Sequence, residues 1–205
     1  MEVKEKEMYH FHNNKVYNEL WVPGNEIVVD NNFETNYLNV LRFYNTAVNT
    51  IEGGRESFNY IIDGYLKHEQ DKETLINLLR KASHLLYGAN LFKREMALEE
   101  VRKQNYPCLP SRKHSIWLCD EKGLEFWKEQ ISHHGEIPTD LYRLSVTGNL
   151  FKSSDAFIPE NTSGYEANLL EAEQYWNPKF DNEDQENRAE YLFQGKVKIL
   201  EKVGQ

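Results

Sequence analysis

The chain has 205 residues, a formal net charge of −9 and a hydrophobic fraction of 40%. That length suits a single domain with its own core. A mean hydropathy of −0.74, with no run near the ~20 apolar residues a spanning helix needs, excludes a transmembrane helix, and a pI of about 5.3 argues against extended nucleic acid as a partner.

Met8-Tyr-His-Phe-His12 predicts a short first strand, with His10 and His12 on one face and Tyr9 and Phe11 on the other. Asn13-Asn14 reads as a turn. Leu20-Trp-Val-Pro-Gly24 is an apolar run closed by a Pro-Gly signal. Ile27 to Val29 is a brief strand before the turn Asp30-Asn-Asn32. The middle of the chain is helical. Leu38, Leu41 and Val48 recur at helical intervals from Tyr37 to Val48, and Gly53-Gly54 breaks the pattern. Glu56 to Leu66 reads as a second helix. Asp71 is a candidate N-cap for a helix with an apolar stripe through Leu75, Leu78, Leu79, Ala82, Leu85 and Leu86. Gly88 is expected to end that helix, and Phe92 to Gln104 to restart one. Pro107 and Pro110 stop it, leaving Tyr106 to Arg112 as an ordered loop.

Ser115-Ile-Trp-Leu-Cys119 then predicts a strand, and Leu124 to Ile131 a short helix. Leu141 to Val146 is a strand ended by Thr147-Gly-Asn149. Ala156 to Ile158 is extended, and Tyr165 to Trp176 is a helix. The polar stretch from Asn177 to Asn187 is expected as a loop. A hairpin closes the chain: Glu190 to Phe193, a turn at Gln194-Gly195, then Val197 to Val203. This is not a regular βαβ alternation. The expectation is one α+β domain over residues 1–205, with a helical insertion or subdomain at about 37–104.

Cys108 and Cys119 cannot make a disulfide framework and lack C-x-x-C spacing. The charged start, Met1 to Glu7, lacks the apolar core of a signal peptide. Together these predict a cytoplasmic protein. There is no G-x-G-x-x-G, no G-x-x-x-x-G-K-[ST], no G-x-S-x-G and no H-E-x-x-H. His10 and His12 could hold a nucleotide ribose by hydrogen bonds, and no third ligand nearby suggests a metal. Arg112, at a loop-to-strand corner with Lys113 and His114, could fork onto a phosphate or carboxylate, or pair with one of the many acidic side chains. Glu190, opening the last strand, could stabilise a developing positive charge, or sit solvated at an edge. Trp127 and Trp176 are read as core more readily than as stacking platforms.

Three pieces follow the order seen in the ADP-ribosyltransferase-like superfamily: Tyr9-His10, Ser115-Ile-Trp-Leu-Cys119 and Glu190-Tyr-Leu-Phe193. More narrowly, Leu98 to Arg102, Tyr106 to Arg112 and Ala172-Glu-Gln-Tyr-Trp176 resemble a family of uncharacterised bacterial proteins placed near those enzymes. The resemblance implies a split antiparallel sheet gripping NAD. It implies a nucleotide contact from His10, a nicotinamide pocket shaped by Ser115, and an oxocarbenium-stabilising carboxylate at Glu190; His12 and Arg112 join His10 as candidate nucleotide contacts on their own chemistry. The strand here reads Ser-Ile-Trp, without the Ser-Thr-Ser of many such enzymes, and Arg188 stands two residues before Glu190. Two readings follow. One is a catalytically silent, self-associating module, with a homodimer face on the stripe through Leu75, Leu79, Ala82 and Leu86. The other is an NAD-dependent ADP-ribosyltransferase or NAD glycohydrolase.

Overall fold

The computed structural model describes residues 1–13, 19–33, 48–49, 55–56, 62–64, 66–67, 72–133, 139–160 and 164–203. The chain divides into two compact units: Met1–Thr35 with Glu95–Gln205, and Asn36–Arg94. The class is α+β.

The first unit is built on a five-stranded antiparallel sheet. Its strands are β1 (Glu2–Asn13), β2 (Glu26–Val29), β5 (Ile116–Leu118), β6 (Thr139–Ser154) and β7 (Ala189–Lys202). Between β2 and β5 in sequence come the two-residue strands β3 (Val48–Asn49) and β4 (Arg55–Glu56), which pair with each other in the second unit. The order in the main sheet is β1-β6-β7-β2, and β5 pairs β7 beyond the end of β2. A bridge between Tyr9 and Cys119, with both N–H···O bonds at 2.9 Å, joins β5 to the free side of β1. Strands β1, β6, β7 and β5 therefore form a closed ring.

Side chains alternate across these strands. One face turns Met8, Ile116, Leu118, Tyr142, Leu144, Val146, Tyr191, Phe193, Val197 and Ile199 into an inner core, with Trp21 and Val29. The other face presents Phe151, Leu192 and Trp117 to two helices. These are α1 (Lys72–Asn105), through Leu98 and Val101, and α3 (Tyr165–Trp176), through Ala172, Tyr175 and Trp176. The helix α2 (Leu124–His133) follows β5, and the one-turn α4 (Glu183–Asn187) precedes β7. Among the described residues no helix is long and apolar enough to cross a membrane.

Several expectations meet the structure exactly or nearly so. The helix predicted over Tyr165 to Trp176 has those bounds. Helix α1 stops at Asn105, ahead of Pro107. Others are corrected. Gly88 does not end a helix: α1 runs unbroken for 34 residues. The interior glycine costs only about 1 kcal/mol against alanine, which the cooperativity of the flanking helix formers outweighs.

The predicted turns at Thr147-Gly-Asn149 and Gln194-Gly195 are not turns. Gly148 and Gly195 face each other in the middle of the β6–β7 ladder. A Cβ on Gly148 would lie 2.4 Å from the Gln194 carbonyl oxygen, and one on Gly195 would lie 2.5 Å from that of Thr147. Their φ values, +153° and +143°, complete the requirement for glycine. The two strands run on for 16 and 14 residues, and the expected hairpin is a single strand.

Asp155–Phe157 is a 3-10 turn where an extended piece was expected, and the polar loop contains α4. Most of the helices predicted from Tyr37 to Val48 and from Glu56 to Leu66, and the Gly53-Gly54 break, lie outside the described residues. Where they are described, Val48 and Glu56 are paired in β3 and β4, while residues 62–64 and Leu66 are helical, as expected for the second helix.

Candidate functional site

The outer face of the sheet carries a charged network at its centre. Its hub is Arg112, in the 3-10 turn Arg112–His114. The turn is capped by Ser111, whose hydroxyl accepts from the Lys113 N–H at 3.2 Å. Two carboxylates on α1 hold this corner. Glu99 accepts the Arg112 backbone N–H and the Ser111 hydroxyl, both at 2.8 Å. Glu95, one turn earlier, accepts the guanidinium in a fork, from Nε at 2.7 Å and Nη2 at 3.2 Å. The remaining Nη1 donates to Glu190 and, at 2.5 Å, to the Tyr175 hydroxyl, which itself donates to Glu190. The guanidinium carbon lies 4.8 Å from the ring centres of both Trp117 and Tyr175.

Burial governs the chemistry here. Arg112 is 1% exposed, Glu95 2% and Glu190 4%. Burial works against the charged guanidinium, but Glu190 and Glu95 overcome it and raise its pKa well above the ordinary value. The Tyr175 phenol is pushed well up, first by burial and then by Glu190, while Arg112 pulls the other way, so it stays a neutral donor. Arg102 extends the network. It pairs with Glu99 and donates to the Leu109 carbonyl at 3.0 Å, tying the proline loop to α1.

The residues singled out from the sequence divide between two faces. Arg112 and Glu190 meet directly. The acidic pairing weighed for Arg112 is what the structure has, and its side chain turns inward from the basic corner. His114 Nδ1 donates to the Phe33 carbonyl at 2.8 Å. Ser115 is fully buried, its Oγ makes no hydrogen bond among the described residues, and strand alternation sets it on the face of Trp117.

His10 and His12 lie on the opposite face, pairing with Tyr142 and Asp140 of β6. Trp21 stacks on both imidazoles, with centroids 4.6 and 4.4 Å apart. His10 Nδ1 donates to the Trp117 carbonyl at 2.9 Å. Burial drives the His10 pKa down to about 4, with His12 adding a smaller push and the Trp117 carbonyl opposing it. The five residues therefore do not line one cleft. Trp176 is core, donating its indole N–H to the Leu98 carbonyl at 2.7 Å.

Sequence reasoning passed over Glu95, Glu99 and Tyr175. A signal was present: Leu91, Glu95, Leu98 and Arg102 share the buried side of α1, so a carboxylate interrupts an apolar stripe where a solvated one has no place.

The fold thus defines an α+β domain whose ring of strands is locked to two helices by one buried guanidinium. The chain belongs to the DUF2441 family of proteins of unknown function, whose family model matches residues 8–205. No curated protein matches the chain.

Proposed function

We propose that this protein is a self-associating binding module and that Glu190 serves its architecture, not catalysis. The observation that carries the reading is the exposed side of α1 in the second unit. Ile76, Leu79 and Leu86 are 37%, 58% and 64% exposed. With Ser83 and Asn90 they keep a 3–4 spacing along the helix, with leucine at both d-type positions and polar residues between. That is the pattern of a seam that packs on another helix. Scattered exposed leucines are ordinary, but a repeated seam asks for a partner with the same spacing. A second copy of this chain presents it.

Light scattering across a concentration series tests this. The expected result is a dimer mass at tens of micromolar, and a monomer for the double substitution Leu79→Glu, Leu86→Glu with unchanged helix content. A strict monomer for the parent chain at hundreds of micromolar would refute it.

The ADP-ribosyltransferase-like reading of the fold rests on the order of three strand motifs. It is supported by the fact that β1, β5 and β7, which carry them, are hydrogen-bonded neighbours. NAD or another nucleotide as ligand, and NAD cleavage as activity, follow from that reading as the alternative. Glu190 does not favour it, because one carboxylate oxygen receives both Arg112 and Tyr175 inside the core. Incubation with NAD and measurement of free nicotinamide decides between them. Turnover by the parent chain that is lost in Glu190→Gln while the circular dichroism spectrum and melting temperature stay unchanged would establish the enzyme.

A further inference from the structure

No further inference is drawn: the strongest candidate, the stack of Trp21 on His10 and His12 on the inner face of the sheet, holds the chain's own indole where a ligand ring would lie and, read as an acid switch, rests on the lowered pKa of His10 alone.

Discussion

Replacing Arg112 by methionine removes the positive hub while keeping a flexible apolar side chain of similar length. The side chains of Glu95 and Glu190 are then left 1% and 5% exposed with no guanidinium between them. Breaking a buried pair by removing one partner costs about 3–5 kcal/mol, because the remaining charge is uncompensated. Such a loss is a large fraction of the roughly 5–15 kcal/mol that holds a domain together. For a chain of this size it corresponds to a fall in Tm of about 6–20 °C.

The penalty must also depend on pH. The orphaned carboxylates can escape it by taking up protons. Protonation relieves the burial of uncompensated charge, so the variant's deficit is small at acid pH and grows as pH rises. Urea unfolding followed by tryptophan fluorescence measures this, since Trp117 lies against the guanidinium. The gap between parent and variant should be wide at pH 8 and narrow at pH 4.5. Arg143→Ala is the control. Its pairs with Glu7 and Glu201 are on the surface, and stability should barely move. A loss below about 1 kcal/mol for Arg112→Met at pH 8 would refute the reasoning, because it is far below the cost of a broken buried pair.

His10 should titrate near 4 by NMR and stay neutral at pH 6. Its folded pKa lies below the unfolded 6.5, so its contribution is present above 6.5 and lost as pH falls toward 4. That amounts to up to about 3 kcal/mol, and His10→Leu should flatten this part of the stability curve. With a thiol reagent at pH 8 the native protein should show one reactive cysteine, the exposed Cys108. Cys119 is buried and its pKa is pushed up to about 12, so it should react only on unfolding. Gly195→Ala should lower stability by about 1–3 kcal/mol, the usual scale of backbone strain, because its Cβ meets the Thr147 carbonyl and its φ is +143°. A thermal melt unchanged from the parent would contradict that account.

Several elements were legible because their cause is local. Tyr165 to Trp176 carries its own helical periodicity, and its observed bounds match. Pro107 forbids continuation of α1, and the helix ends before it. The glycine signals misled for the opposite reason. Gly148 and Gly195 look like turns in sequence, yet each is required by the other strand's backbone 47 positions away, which no local rule contains.

Length, charge, the helix from Tyr165 to Trp176 and the stop ahead of Pro107 were thus determined by the sequence alone, together with the singling out of Arg112 and Glu190. Tertiary structure alone decided that those two meet, 78 residues apart, with Glu95 and Tyr175 around them. It also decided that His10 and His12 face the other side of the sheet. The physical reason is that the chemistry of a charged side chain depends on its desolvation and its partners. Both are set by strand pairing and helix packing across the fold, and neither can be read from spacing along the chain.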